Sequence, residues 1–231
     1  MNTEKSELLK RKAAEKAVEF IKSGMVLGFG TGSTFKHVLD ILAEKLKSKE
    51  IKNIIGIPTS EKTKVLAEKL NIPCGKLSDH PTLDLTIDGA DEVDNKLNLI
   101  KGGGGALLRE KIIAQASKKY IIIVDESKLS NYLGEKWSVP IEVIKIALEV
   151  ETKYLQSLGA EVILRKNENG KPFITDEGNY ILDTNFGAIK NPKKLDKKLN
   201  KRAGIAEHGL FINIVDRVIS ASDNGIKSLA N

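Results

Sequence analysis

The chain has 231 residues, of which 41% are hydrophobic and 29% are charged, a balance typical of a water-soluble globular protein. No apolar run reaches the roughly 18 residues that a membrane-spanning helix needs, and the polar start lacks the apolar segment of a secretory signal. We therefore expect a cytoplasmic protein with no membrane partner. The single cysteine, Cys74, excludes an intramolecular disulfide and a cysteine-based metal site.

The net charge of +6 comes almost entirely from lysine. A basic excess can mark a nucleic-acid surface, but aromatic residues make up only 5% of this chain, and its lysines alternate with glutamates. The densest basic run, residues 191–199, carries Leu195 and Leu199 four positions apart, which is typical of an amphipathic surface helix. We therefore expect no nucleic-acid partner.

The first half of the chain alternates between helical and strand patterns. The predicted elements are a helix from Ser6, as its cap, to Ser23, a strand at Met25–Phe29, a helix at Phe35–Lys47, a strand at Ile51–Ile57, a helix capped by Ser60 that ends near Asn71, a strand at Leu83–Ile87, a helix at Gly105–Ser117 and a strand at Tyr120–Val124. Such alternation predicts a parallel sheet covered on both faces, with functional loops at the carboxyl ends of its strands.

The second half of the chain follows another order. The predicted elements are a strand at Val139–Ile144, a helix at Ala147–Leu158, strands at Glu161–Leu164, Phe173–Thr175 and Tyr180–Asp183, a helix at Pro192–Lys201 and a strand at Leu210–Ile214. This order resembles a small split α+β unit with an antiparallel sheet.

The predicted fold class is therefore α/β, a Rossmann-like mostly parallel sheet with helices on both faces, plus a smaller α+β (ferredoxin-like) domain. We expect a Rossmann-like catalytic domain over residues 1–130, completed by about residues 207–231, and the small domain over residues 131–206. Periodicity alone leaves open to which domain residues 211–226 belong.

The first predicted strand leads into a glycine-rich turn, Gly28–Thr34. It begins like a dinucleotide-binding fingerprint, but Ser33 replaces the third glycine and no acidic residue ends the second strand. It also lacks the Gly-Lys-Ser/Thr ending of a nucleotide P-loop. Backbone N–H groups with the hydroxyls of Thr31, Ser33 and Thr34 at a helix N-terminus suit one phosphate group. The alternative is a plain strand-to-helix turn capped by Ser33 or Thr34.

Two further motifs follow the strand predicted at Leu83–Ile87. Asp88–Glu92 holds acidic side chains around a glycine, and Lys101–Lys111 begins with a lysine and four glycines and includes the carboxylate of Glu110. The glycine run leaves N–H groups that can meet an anion, and the flanking side chains supply proton transfer and charge stabilisation. This combination is typical of a sugar-phosphate active site.

A metal site is the alternative interpretation of the acidic loop. Its spacing is not that of a calcium loop, and the three histidines, His37, His80 and His208, stand apart without metal-ligand spacing. The sequence pattern leaves a magnesium site open, although we expect no metal.

Glu110 lies on a predicted helix between Ala106 and Ala114 at i,i+4 spacing, with Ile113 beside it. A carboxylate on a small apolar face is desolvated, which makes it a stronger base. By pattern alone, a solvated helix surface explains Glu110 equally well.

Taken together, these motifs resemble the ribose-5-phosphate isomerase family of the A type. The resemblance spans the chain and rests on the residues Gly28–Thr34, Asp88–Glu92, Lys101–Lys111, Asp125–Lys128, Val139–Val143, Thr175–Asn179 and His208–Phe211. It implies interconversion of ribose 5-phosphate and ribulose 5-phosphate in the non-oxidative branch of the pentose phosphate pathway. It also implies a cis-enediolate intermediate, a small-molecule substrate as partner, no cofactor, and a homodimer or a tetramer.

The resemblance also implies a role for each matching residue. Glu110 would move the proton between C1 and C2. Asp88 would assist ring opening and handle hydroxyl protons, and Asp91 would hold a sugar hydroxyl or orient the loop. Lys101 and the N–H groups of Gly102, Gly103 and Gly104 would stabilise the enediolate oxygen. The remaining substrate-binding residues would be Thr31, Gly32, Ser33, Thr34 and Lys128 at the phosphate, Lys10 as a further phosphate partner, and Gly89 and Ala90 beside the acidic pair.

Two other functions use similar loops. A non-catalytic sugar-phosphate sensor would keep the phosphate turn but would need neither Asp88 nor Glu110, and no helix-turn-helix pattern precedes the sheet. An acyl or CoA transferase would use a nucleophilic glutamate and form a covalent adduct.

Overall fold

The computed structural model describes residues 3–230. Its helices are α1 (Thr3–Val18), α2 (Ser33–Lys47), α3 (Glu61–Lys69), α4 (Leu107–Gln115), α5 (Leu148–Ser157) and α6 (Pro192–Leu199). Its strands are β1 (Val26–Phe29), β2 (Ile55–Pro58), β3 (Leu85–Asp88), β4 (Glu92–Val93), β5 (Leu99–Ile100), β6 (Tyr120–Asp125), β7 (Val139–Val143), β8 (Glu161–Leu164), β9 (Tyr180–Asn185), β10 (Ile205–His208), β11 (Leu210–Phe211), β12 (Arg217–Ser222) and β13 (Gly225–Ala230).

The chain divides into two compact units. Within the described residues, the first unit comprises residues 3–90, 109–128 and 214–230, and the second comprises residues 91–108 and 129–213. Residues 91–108 group with the second unit because β4 and β5 share a sheet with β11. The domain limits given above, 1–130 and 131–206, stay a prediction that limited proteolysis would test.

The first unit is built on a six-stranded sheet in the order β13-β12-β6-β3-β1-β2. All neighbours are parallel except β13, which forms an antiparallel hairpin with β12. The central strands are short apolar runs, and β6 is buried at every position, as expected for a strand covered on both faces.

Helices cover both faces of this sheet. On one face, α1 and α2 pack against Leu27 and Phe29 of β1 and against the apolar residues of β3 and β6. On the other face, Ile113 of α4 packs with Ile57 of β2. Gly28 allows this approach, since a Cβ there would lie 2.7 Å from the Ile113 side chain. The predicted α/β class with a mostly parallel sheet is confirmed.

The second unit contains a four-stranded antiparallel sheet in the order β10-β7-β9-β8 and a three-stranded antiparallel sheet in the order β11-β5-β4. Leu155 of α5 and Leu199 of α6 are fully buried in one apolar cluster with Val139, Ile141 and Val143 of β7. The prediction of a separate antiparallel α+β region is confirmed.

Several element limits differ from the prediction. Ser6 lies inside α1, which begins at Thr3 and ends at Val18, so Ser6 does not cap this helix. The second strand begins only at Ile55, because Asn53 adopts a left-handed φ of 54° that interrupts extended backbone. The strand predicted at Phe173–Thr175 is absent from the described strands, because the backbone of Thr175 forms a local turn in which its N–H donates to the Asn179 carbonyl at 3.0 Å.

Candidate active site

Asp88 ends β3 and is completely buried. Its Oδ1 accepts hydrogen bonds from the backbone N–H groups of Thr31, at 3.0 Å, and Gly89, at 2.8 Å. Gly30 leaves room for this arrangement, because a Cβ there would lie 2.2 Å from Asp88 Oδ1. The glycine turn after β1 therefore holds the carboxylate in place.

A buried phenol lies beside this carboxylate. The hydroxyl of Tyr120 donates to Oδ2 of Asp88 at 3.4 Å. Burial raises the pKa of Tyr120 well above its ordinary value, and the negative charges of Asp88 and Glu110 raise it further. Tyr120 therefore stays protonated, and both carboxylates lie near enough to disfavour its ionised form. Sequence reasoning treated Tyr120 only as the start of a strand.

Thr31 points into the protein rather than towards solvent. Its Oγ1 lies 2.8 Å from Thr59 Oγ1, 2.9 Å from Ser60 Oγ and 3.2 Å from Thr63 Oγ1. Thr63 in turn donates to the carbonyl of Gly30 at 2.9 Å. We call Thr59, Ser60 and Thr63 the hydroxyl cluster. Sequence reasoning identified Ser60 as a helix cap, which its 3.1 Å contact with the Thr63 N–H confirms, but missed the cluster.

The N-terminus of α2 lies directly after Thr31 in the chain. Gly32 precedes the helix with a φ of 111°, and among the described residues no side chain caps this end. The first N–H groups of a helix have no partner within it. Gly32 and Ser33 are exposed, and Thr34 is half-buried.

Glu110 lies in α4 and is 4% exposed. Ala106, Ile113 and Ala114, which share its predicted helix face, are also buried. Next to it, Arg109 forms an ion pair with Glu61 at 2.8 Å, which fastens α4 to α3.

Two lysines were predicted to bind phosphate. Lys128 ends a short 3-10 turn after β6, and Asp125 holds this turn by accepting from the Ser127 N–H at 2.9 Å. Lys10 lies on α1, where its Nζ is 2.6 Å from Glu7 Oε1. This hydrogen bond lowers the pKa of Glu7.

In the second unit, Lys101 follows β5 and is 2% exposed. Its N–H donates to the carbonyl of Gly209 at 2.9 Å, and its Nζ lies 5.7 Å from the centre of the Phe211 ring. A cation at this distance from an aromatic face is attracted to the ring. The side chain is therefore held in a partly aromatic environment.

The residues Gly102–Gly105, here called the glycine loop, follow Lys101. Gly102 and Gly105 have φ values of 99° and 82°, a region that favours glycine. The N–H of Gly103 donates to Asp91 Oδ2 at 2.7 Å, so this N–H is used within the protein. Gly104 is exposed. Arg165, which sequence reasoning missed, donates to two carbonyls of this loop.

The predicted residues thus form contacts within each unit. In the first unit, hydrogen bonds connect Asp88 to Thr31 and Gly89. The other predicted residues of this unit are Lys10, Gly32, Ser33, Thr34, Ala90, Glu110 and Lys128. The second unit joins Asp91 to Gly103 and also carries Lys101, Gly102 and Gly104. Lys10 pairs with Glu7 on its own helix.

Residues 3–230 contain neither a cluster of metal ligands nor a membrane-spanning helix. No group of three or more histidine, cysteine, aspartate or glutamate side chains there is arranged to hold a metal ion. No helix in that range is both long and apolar enough to cross a bilayer.

Residues 55–225 match the family described as ribose 5-phosphate isomerase A (phosphoriboisomerase A). The ribose-5-phosphate isomerase A of Desulfatibacillum aliphaticivorans is 51% identical over 96% of each chain, and that of Chloroflexus aurantiacus is 46% identical over 98% of this chain and 95% of its own. A solved D-ribose-5-phosphate isomerase in complex with phospho-erythronic acid is 44% identical, covers 100% of both chains and superposes with a TM-score of 0.96. The enzyme from Methanocaldococcus jannaschii is 39% identical over 98% of this chain and all of its own, with a TM-score of 0.93. The chain belongs to the ribose 5-phosphate isomerase A family.

Proposed function

We propose that this enzyme, an isomerase, interconverts ribose 5-phosphate and ribulose 5-phosphate through a cis-enediolate. The observation that carries the proposal is the burial of three charged side chains that match the family's motifs. Asp88, Lys101 and Glu110 are 0%, 2% and 4% exposed. Buried ionisable side chains are concentrated at functional sites. The reaction belongs to the non-oxidative branch of the pentose phosphate pathway.

Proton transfer is assigned to the carboxylates. Glu110 takes the proton from C2 of the aldose and returns it to C1, and its buried position on α4 keeps water from competing for this proton. Asp88 assists ring opening. Its hydrogen bonds from the Thr31 and Gly89 N–H groups hold the carboxylate in place before substrate binds. Asp91 holds a sugar hydroxyl or orients the glycine loop.

Stabilisation of the enediolate is assigned to Lys101 and the glycine loop. The ammonium of Lys101 supplies positive charge where the oxygen becomes negative, and exclusion from water strengthens this attraction. The Gly103 N–H already donates to Asp91, so the N–H groups of Gly102 and Gly104 are the donors for the substrate.

Phosphate binding is assigned to the start of α2. The N–H groups of Gly32, Ser33 and Thr34 and the hydroxyls of Ser33 and Thr34 lie where the helix dipole favours an anion. Thr31 supports them through the hydroxyl cluster. Lys128 and Lys10 add positive charge, with Gly89 and Ala90 lying beside the sugar. The phosphate group of phospho-erythronic acid, which a related enzyme binds, should occupy this phosphate site.

The proposal includes a cytoplasmic homodimer or tetramer, since pentose phosphates are metabolites of that compartment and the family suggests self-association. Sedimentation of the purified chain over a range of concentrations tests the assembly. A single species at the mass of one 25.3 kDa chain would contradict it.

The deciding experiment is conversion of ribose 5-phosphate to ribulose 5-phosphate by purified protein after treatment with EDTA. Turnover supports the proposed metal-free reaction. Binding of the sugar phosphate without turnover would support the sensor, although no comparison favours it. Activity restored only by magnesium would support a metal site, and a covalent adduct with a CoA thioester would support a transferase.

A further inference from the structure

Arg165 follows β8 and lies between an acidic side chain and the glycine loop. Its Nε donates to Asp183 Oδ2 at 2.9 Å, and its Nη2 donates to the other carboxylate oxygen. Its Nη1 donates to the carbonyls of Gly102, at 2.9 Å, and Gly103, at 3.1 Å. The ring of Phe173 lies 5.9 Å from the guanidinium carbon. One side chain thus binds two consecutive peptide groups of the loop.

These contacts determine where the N–H groups of the loop point. In a trans peptide, the carbonyl of one residue and the N–H of the next point in opposite directions. Because the Gly102 carbonyl faces Arg165, the Gly103 N–H must point away from it, and that N–H is found on Asp91 at 2.7 Å. By the same geometry, the Gly103 carbonyl on Arg165 directs the Gly104 N–H away from the guanidinium.

Glycine peptides need such a restraint more than others do. Without a Cβ, the residues of the loop can rotate into several backbone conformations of similar energy. A flipped peptide would present a carbonyl oxygen, rather than an N–H, to a developing negative charge. The planar fork of a guanidinium matches two acceptors at once.

The positive charge of Arg165 is not the main contribution. Both oxygens of Asp183 accept from the guanidinium, and this carboxylate largely neutralises it. Orientation of the peptides is therefore the effect that remains.

We propose that Arg165 is a positioning residue for the isomerase reaction, holding the glycine loop so that the Gly104 N–H meets the enediolate oxygen. This inference rests on the proposed function. A positioning role predicts that loss of Arg165 acts on the transition state and on anionic analogues of the reacting carbons. A purely structural role, fastening β8 to β9, predicts a loss of stability without this selectivity.

The chain offers a matched control in the same unit. Arg202 also forms a two-oxygen pair with a buried carboxylate, Glu151, at 2.9 and 3.1 Å, and its guanidinium carbon lies 4.2 Å from the centre of the Tyr154 ring. Arg202→Lys therefore breaks a similar ion pair and ring contact without removing a contact to the glycine loop.

The first experiment compares Arg165→Lys with Arg202→Lys. For Arg165→Lys we expect kcat to fall roughly 10- to 100-fold with KM changed less than about threefold, as for the loss of an oriented oxyanion donor. Calorimetry should show weaker binding of phospho-erythronic acid, which carries a carboxylate as well as a phosphate, and unchanged binding of inorganic phosphate. Arg202→Lys should keep the parental kcat. Parental kcat in Arg165→Lys, or equal weakening of both ligands, would overturn the proposal.

A second experiment uses Arg165→Ala with added ethylguanidinium at millimolar concentration. The added cation can occupy the opening between Asp183 and the glycine carbonyls, so kcat should recover by about tenfold or more. Arg202→Ala should show no such response. If circular dichroism shows that Arg165→Ala is folded and kcat does not recover, the result contradicts a positioning role. An inactive parent chain would instead refute the proposed function, and this inference with it.

Discussion

The backbone N–H of Thr31 donates to Oδ1 of Asp88 at 3.0 Å, so one hydrogen bond connects the glycine turn after β1 to the carboxylate that we propose assists ring opening. Two separate motifs of the sequence are thereby joined, one assigned to the phosphate and one to the sugar. A change at Asp88 should therefore affect both functions, to a degree that depends on whether the acceptor oxygen remains.

Asp88→Asn keeps an oxygen that can accept from the Thr31 N–H but removes the negative charge. We expect kcat to fall by about 10²-fold or more with a KM close to that of the parent, since acid–base assistance is lost while the turn stays in place. Asp88→Ala removes the acceptor as well and should also raise KM. Steady-state kinetics on ribose 5-phosphate separates the two cases. Equal KM values in both variants would show that the hydrogen bond does not support phosphate binding.

Glu110→Gln tests the assignment of the base. The amide has nearly the same shape but cannot accept the proton, so kcat should fall by roughly 10²- to 10⁴-fold with KM largely retained. Exchange of the substrate C2 proton with deuterated water, followed by NMR, should slow by the same factor. Glu61→Gln, which alters the neighbouring Arg109 pair, serves as the control and should retain exchange. Parental exchange in Glu110→Gln would remove this residue from the role.

Gly30→Ala should lower stability through a steric effect. A Cβ at this position would lie 2.2 Å from Asp88 Oδ1 and 2.6 Å from the Asp88 Cα, so the carboxylate or the strand must move. Overpacking of this kind costs about 1–3 kcal/mol of stability. At Gly89, in contrast, the nearest atoms to an added Cβ are 3.8 Å away. Thermal unfolding of both variants should therefore show a clear loss only for Gly30→Ala, and equal losses would contradict the steric argument.

Much of the fold could be predicted because it depends on local patterns. The apolar run at Tyr120–Val124 predicts a buried strand, and the structure forms β6 there. Asp88 could be placed at the end of a strand for the same reason. Contacts between distant segments carry no such signal. Arg165 lies 63 residues from Gly102 and looks like an ordinary surface cation in the sequence, so its contact with the glycine loop could not be predicted.

The hydroxyl cluster was missed for a related reason. Serine and threonine near a helix start are usually caps, and Ser60 is one. Thr63 looks like an unremarkable helical residue in the sequence, yet it is buried and its hydroxyl reaches back to the Gly30 carbonyl. Only the packing of α3 against the turn after β1 gives this hydroxyl its partners.

Thr63→Val should expose that dependence. Valine has nearly the same shape, but the Gly30 carbonyl and the Thr31 hydroxyl each lose a partner, which costs about 1–3 kcal/mol for a buried polar group. Because the turn carries the proposed phosphate site, KM should rise more than kcat falls. Thr63→Ser restores the hydroxyl and should return KM towards the parental value. An unchanged KM in Thr63→Val would show that the cluster supports the fold alone.

Glu142 predicts a pH dependence of stability in the second unit. This side chain is 1% exposed, and it accepts from the Thr175 hydroxyl at 2.8 Å and the Asn179 amide at 3.0 Å. Burial raises its pKa above the ordinary value of 4.5, and the hydrogen bonds offset only part of this rise. Above pH 4.5, the folded chain therefore binds more protons at this site than the unfolded chain does.

The contribution of Glu142 to the free energy of unfolding is thus largest below pH 4.5 and is lost as the pH rises through the raised folded pKa. Glu142→Gln keeps an acceptor oxygen but removes the titration, so its stability should fall less than that of the parent between pH 4.5 and neutrality. Urea unfolding followed by the fluorescence of Trp137, the single tryptophan of the chain, measures this difference. The exposed Glu168→Gln serves as control and should keep the parental pH profile. A Glu142→Gln profile parallel to that of the parent would contradict the raised pKa, because only a group that titrates differently in the two states can change the slope.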